Sequence, residues 1–130
     1  MVREEHEKNI YRPLISFIMP CYNASKTIIS SAESLLKQDQ NKLIELIILN
    51  DGSTDNNITH KICSKLNHKY KNITYKNLKN NIGQAKARNK GIDLSNGKYI
   101  GFLDSDDTLN EELLKNVIKF AKLEKYDVIV

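Results

Sequence analysis

Three short apolar runs, each ended by a cluster of polar and acidic residues, constrain this chain more than any other feature. They are Leu14–Met19 (LISFIM), Leu43–Leu49 (LIELIIL) and Lys98–Leu103 (KYIGFL). Runs of this length with little alternation suit strands buried on both faces. Between them the period changes to that of a helix. Ile28, Ile29, Ala32, Leu35 and Leu36 recur at helical spacing within Ser25–Gln38, and Ile58, Ile62 and Leu66 step by four. Gly83–Leu94 reads as a short helix rich in small residues, and Leu113, Leu114, Val117, Ile118 and Ala121 as another. Ile73–Asn77 is a weaker strand, and Tyr126–Val130 opens one more. Ser53 or Thr54 is placed to cap the second helix, and Thr108 with Glu111 resembles a capping box for the last. Strictly alternating strands and helices predict an α/β fold: a mostly parallel open sheet, helices on both faces, right-handed crossovers.

In such a sheet the loops after the strands leave on one edge, and ligands bind there. Those loops are Pro20–Asn23 (PCYN), Asn50–Asp55 (NDGSTD) and Asp104–Thr108 (DSDDT). The last places three carboxylates in four positions. Asp104 and Asp106, two apart, would share a face of an extended segment. Hard cations such as Mg²⁺ or Mn²⁺ take oxygen ligands and are held by one or two carboxylates plus substrate phosphates. The plainer reading, helix capping, is assigned to Asp107. Asp-Gly-Ser is a turn signal, yet Asp51 is the first side chain out of a buried strand, where it can accept from a base N–H or a ribose hydroxyl. Arg88, on the helix with Ala85, Ala87 and Gly91, is either a surface charge or a cation facing that acidic edge.

At 130 residues the chain suggests one domain. Residues 1–13 read as a polar lead-in without the character of a targeting peptide, and no apolar run reaches the ~18 residues of a membrane span. Cys21 and Cys63 are expected as reduced, partly buried thiols, and His6, His60 and His68 as surface residues without zinc-type spacing. The net charge of +4 is uneven: nine Lys or Arg and no acid lie between Lys61 and Gly91. That stretch is either a solvated face or a steering surface for anions. No interleaved aromatics mark a nucleic-acid platform.

Four segments, in order, resemble the nucleotide-binding half of the family 2 glycosyltransferases of GT-A fold. ISFIMPCYNASKTI is similar to that family's opening strand and Pro-x-Tyr-Asn loop, and IELIILNDGSTD to its second strand and Asp-Gly-Ser turn. NNIGQAKARNKGI is similar to its Asn-x-Gly…Ala-Arg-Asn segment, and YIGFLDSDD to its Asp-x-Asp strand. The resemblance covers residues 14–130 and implies a Rossmann-like donor-binding domain, with the acceptor half and catalytic base beyond this sequence. It implies a nucleotide-diphospho-sugar donor, most often a UDP-sugar, and Mn²⁺ or Mg²⁺ as cofactor. Pro20, Tyr22 and Asn23 would line the base and ribose pocket, and Asp51 would accept from the base. Arg88 would approach the base or phosphates, Asp104 the ribose or metal, and Asp106 would bind the metal. The reaction implied is inverting transfer to an acceptor hydroxyl of a sugar, glycolipid or polysaccharide. The implied location is the cytoplasm, the inner face of the membrane included. Two positions depart from the family pattern: Asn50 stands where an acid is common, leaving Asp51 as the sole acid there, and Ala24 follows Tyr-Asn where an acid often does.

Three other readings compete with this one. Asp104-x-Asp106-x-Thr108 fits a phosphatase of the haloacid-dehalogenase type, but there the motif opens the domain. A nucleotidyltransferase would show a Gly-rich basic loop after the first strand, which PCYNASK lacks. A non-catalytic nucleotide-binding module would keep the pocket alone.

Overall fold

The computed structural model describes residues 12–38, 42–123, 125 and 127. Four parallel strands form one sheet in the order β3-β2-β1-β4: β1 (Ile15–Cys21), β2 (Ile44–Asp51), β3 (Ile73–Leu78) and β4 (Tyr99–Phe102). Between and after them come α1 (Ile28–Leu36), α2 (Ile58–Lys69), α3 (Gln84–Leu94) and α4 (Glu111–Leu123). This is the alternation that the sequence pattern predicts. The expected strand at Tyr126–Val130, Asp127 apart, and all but the end of the lead-in fall outside the described residues.

β1 and β2 are buried along their whole length, which is why their sequences are continuous rather than alternating. Their side chains still divide by face. Phe17, Met19, Leu46 and Ile48 join Ile28, Ala32 and Leu35 of α1, Cys63 and Leu66 of α2, and Leu114 and Ala121 of α4 in the main core. Ile18, Ile47 and Leu49 point to the other side. There α3 packs against β1 and β2. Its close approach depends on Gly91: a Cβ there would lie 2.5 Å from Ile18 Cγ2 and 3.0 Å from Leu49 Cδ1. The small residues that the sequence places on this helix therefore set its distance from the sheet.

One buried acid serves the fold at the edge remote from the strand-end loops. Glu45, 9% exposed, accepts from Ser16 Oγ (2.5 Å) and from the backbone N–H of Asn96 (2.6 Å). Ser16 Oγ in turn accepts from the Gly97 N–H at 2.7 Å. A buried carboxylate has to be satisfied in this way. Here it ties the turn that launches β4 to the two central strands, and so helps set where β4 delivers its acids.

Two capping expectations are corrected. α2 is capped by Asp55, not by Ser53 or Thr54: its carboxylate accepts from Thr59 N (3.2 and 3.3 Å) and from Thr59 Oγ1 (2.5 Å). These hydrogen bonds to the charged form lower the Asp55 pKa. α4 is capped by Asn110, whose Oδ1 accepts from Glu112 N (2.8 Å) and Leu113 N (3.3 Å). Neither the Thr108–Glu111 box nor Asp107 does this. In each case a residue nearer the helix start took the role, while Ser53 and Thr54 bond to the Tyr-Asn loop and Asp107 joins the other acids.

Candidate functional site

The loops after β1, β2 and β4 meet, as parallel strands require, in a cleft of about 800 Å³. Pro20, Tyr22, Asn23, Asp51, Asp104 and Asp106 all line it. Arg88 is not among the lining residues, but it reaches the site through Asp104.

The first two loops are zipped together. The Asn23 N–H donates to Ser53 Oγ (2.9 Å), Asn23 Oδ1 accepts from Thr54 N (2.8 Å), and Asn23 Nδ2 donates to Thr54 Oγ1 (3.3 Å). Tyr22 Oη lies 3.3 Å from the same hydroxyl. Asn23 adopts a left-handed backbone conformation, φ 49°, which asparagine tolerates better than most residues. Ala24 N donates to Thr59 Oγ1 (3.0 Å), so the Asp55–Thr59 cap also anchors the Tyr-Asn loop.

Asp51 is 4% exposed, and both its oxygens are engaged. Oδ1 accepts from Ile82 N (2.8 Å) and Oδ2 from Gly83 N (3.1 Å). It therefore fixes the turn before α3, a role the sequence did not show. Each carboxylate oxygen keeps a second acceptor site for a ligand. Gly52, at φ 67°, brings this loop against the neighbouring turn: a Cβ there would stand 2.7 Å from the Asn80 carbonyl carbon. Asn81 Nδ2 closes the contact by donating to the Asp51 carbonyl at 3.1 Å.

Asn50, the departure from the family pattern, is buried in a neutral network. It accepts from Ser53 Oγ, and its Nδ2 donates to Asn77 Oδ1 (3.0 Å) and Tyr75 Oη (3.4 Å). Tyr75 Oη lies 2.8 Å from His60 Nδ1. His60 is therefore half-buried and hydrogen-bonded, not the surface residue expected, whereas His68 is exposed. Burial pushes the Tyr75 pKa up. An amide serves this network where a carboxylate would carry a buried charge beside Asp51. Cys21 and Cys63 are free and buried. The hydrogen bond from Cys63, together with burial, raises the Cys21 pKa well above the usual thiol range. Cys21 borders the cleft.

The acidic end is built differently from the expectation. β4 stops at Phe102, and Asp104–Asp107 is a tight turn closed by Asp107 N donating to the Asp104 carbonyl at 3.0 Å. The carboxylates converge because the chain folds back, not because it is extended. That is why Asp107 joins them: one oxygen each of Asp104, Asp106 and Asp107 lie within 4.8 Å of one another. Three hard oxygen donors at this spacing fit a divalent cation of the Mg²⁺ or Mn²⁺ kind. Arg88 Nη2 donates to Asp104 Oδ1 at 3.1 Å and Gln84 Nε2 to the same oxygen at 3.4 Å. The Arg88 guanidinium also lies 5.7 Å from the centre of the Phe102 ring. With side-chain exposures of 37% and 45%, the Arg88–Asp104 pair is worth at most about 1 kcal/mol of stability. Its effect is to orient one acid.

Sequence reasoning missed Ser25, Lys26, Thr27, Asn81, Gln84 and Ser105, which also line the cleft. Asn81 lay within the Asn-x-Gly segment already singled out. Gln84 stands four residues before Arg88, on the same helix face. Lys26 carried no signal, because its position depends on how α1 docks.

The Glycosyl transferase family 2 profile matches residues 16–130. The chain belongs to that family. It is 33% identical over 117 residues to the glycosyltransferase GlyG of Streptococcus pneumoniae serotype 4, covering 90% of this chain and 38% of that protein. It is 36% identical over 119 residues to the poly(ribitol-phosphate) beta-N-acetylglucosaminyltransferase TarP of Staphylococcus aureus, covering 89% of this chain and 35% of TarP. Among solved structures, residues 1–349 of S. aureus TarS in complex with UDP-GlcNAc align with a TM-score of 0.74 at 36% identity, over 85% of this chain and 31% of that one. The chain thus spans about a third of the length of these family members. The α/β architecture is that of GT-A glycosyltransferases. Among its described residues no helix is long and apolar enough to cross a membrane.

Proposed function

We propose that this family 2 chain is the donor-binding part of a glycosyltransferase, taking a nucleotide-diphospho-sugar in the strand-end cleft. The observation that carries the reading is the meeting of two unlike surfaces there: a hydrogen-bonded pocket around Tyr22, Asn23 and Asp51, and a convergent acid trio at Asp104, Asp106 and Asp107. The base and ribose sit in the first, and the diphosphate spans toward the second. The TarS complex with UDP-GlcNAc supports a UDP-sugar as donor. Asp104 and Asp106 hold the divalent metal, Mn²⁺ or Mg²⁺. When bound, that ion acts as a Lewis acid that stabilises charge on the leaving nucleoside diphosphate. Arg88 keeps Asp104 turned into the site.

The reaction is displacement at the anomeric carbon with inversion. An acceptor hydroxyl oxygen forms the new bond as the bond to the diphosphate oxygen breaks, and the hydroxyl proton passes to a carboxylate base. We place that base and the acceptor site in the part of the family that this chain does not span. The acceptor is a sugar, glycolipid or growing polysaccharide, and the setting is the cytoplasm or the cytoplasmic face of a membrane.

The test is calorimetric titration of uridine diphosphate with Mn²⁺ and then with chelator, on the wild type and on Asp106→Ala. Binding that needs both the metal and Asp106 supports the reading. Binding indifferent to both would reduce the acidic turn to a surface feature.

A further inference from the structure

We propose that Lys26 is a further donor-binding residue, whose ammonium engages the diphosphate from the stretch of the cleft wall between β1 and α1. This rests on the donor-site reading above. Lys26 is the one cationic residue among those described as lining the cleft. The other cation near the acids, Arg88, already donates to Asp104. Lys37, Lys69, Arg88 and Lys115 each pair with a carboxylate, and Lys26 takes part in none of these pairs.

Its place is held from both sides. Ahead of it, Ala24 is bound to Thr59, and the Ala24 carbonyl accepts from Thr27 N (3.1 Å) and Ile28 N (3.0 Å), closing the turn that carries Lys26. Behind it, α1 is fastened to the acidic loop. Ser31 Oγ donates to the Ser105 carbonyl at 2.7 Å, and Leu109 N donates to Ser34 Oγ at 3.1 Å. The stem of Lys26 is therefore built on the same frame as Asp104 and Asp106. A divalent ion matches the two charges of a nucleotide sugar's diphosphate, but its own ligands are acids, and the leaving nucleoside diphosphate gains a further charge as the sugar departs. A second cation lining the same cleft balances the remainder. A lysine suits this as a compact charge on a flexible stem. Its neighbours Ser25 and Thr27 line the cleft as well.

The experiment titrates the whole chain, in Mn²⁺, with uridine diphosphate by calorimetry and with uridine by NMR shifts. Wild type, Lys26→Ala and Lys26→Arg are compared at several salt concentrations. The expected result is an affinity for the diphosphate about tenfold lower in Lys26→Ala, largely restored in Lys26→Arg, with uridine binding unchanged. Salt dependence should flatten in Lys26→Ala, because one charge contact is gone. Wild-type affinity in Lys26→Ala would overturn the proposal, and so would an equal loss for uridine, which would mean that the loop had moved. A wild type that does not bind uridine diphosphate removes the donor site itself and Lys26 with it. That failure is distinct, because it shows before any substitution is made.

Discussion

The two ends of the cleft are built on opposite terms. At the Tyr22–Asp51 end the polar groups are spoken for. Asn23 is bound to Ser53 and Thr54, Asp51 to two backbone amides, and Ala24 to Thr59. At the Asp104–Asp107 end three carboxylates crowd together, half or fully exposed, with Arg88 and Gln84 donating to one of them. The first end is rigid before any ligand arrives, so little ordering entropy is lost when one binds. The second keeps like charges close at some cost in stability, which a cation would relieve. Substitutions at the first end should therefore damage the fold, and those at the second should damage binding alone.

The sharpest way to break that contrast is Asp51→Ala. It leaves the Ile82 and Gly83 amides without their acceptor, and we expect a loss of about 2–4 kcal/mol in denaturant unfolding. A loss under about 1 kcal/mol would mean that the turn holds itself and Asp51 is kept for the ligand. Thr59→Val should cost less, about 1–2 kcal/mol. It removes the acceptor for Ala24 N and the hydroxyl bonded to Asp55, and should also loosen the Tyr-Asn loop, visible as faster amide exchange at Asn23. At the other end, Asp106→Ala should leave stability within about 0.5 kcal/mol while metal-dependent diphosphate binding falls at least about tenfold. Destabilisation as large as that of Asp51→Ala would erase the distinction.

The smallest effect lies outside the cleft. Glu33 on α1 accepts from Tyr70 Oη (2.5 Å) and Lys69 Nζ (2.9 Å), and pairs with Lys37 at 3.4 Å. These contacts, Tyr70 first, lower its pKa to about 2 from an ordinary 4.5. With the folded value depressed, the stabilisation is complete above pH 4.5 and lost as pH falls through about 2. Glu33→Gln should flatten acid unfolding in that window, and an unchanged acid transition would show that the α1–α2 contact does not depend on this charge.

Much of this molecule was legible in its sequence. Buried parallel strands must be continuously apolar, and the helices between them must carry apolar residues at helical spacing, so both patterns are written residue by residue. The topological rule that parallel strands end on one edge then gathered Pro20, Tyr22, Asn23, Asp51, Asp104 and Asp106 without any coordinates. What the pattern could not reveal was how side chains divide their hydrogen bonds. Asp55 and Asn110 cap where Ser53, Thr54 and Thr108 were expected, because several residues near a helix start are chemically able to cap and geometry selects one. Asp51 serves the Ile82–Gly83 turn, Asp107 turns in with the other acids, and Lys26 reaches the cleft. Each depends on partners 31 to 75 positions away or on a tight turn whose closure local propensity leaves open. The sequence by itself determined which elements form and which edge they present. Only the tertiary structure decided which donors and acceptors there are already paired and which are left for a ligand, because pairing is set by distance in space and not by order along the chain.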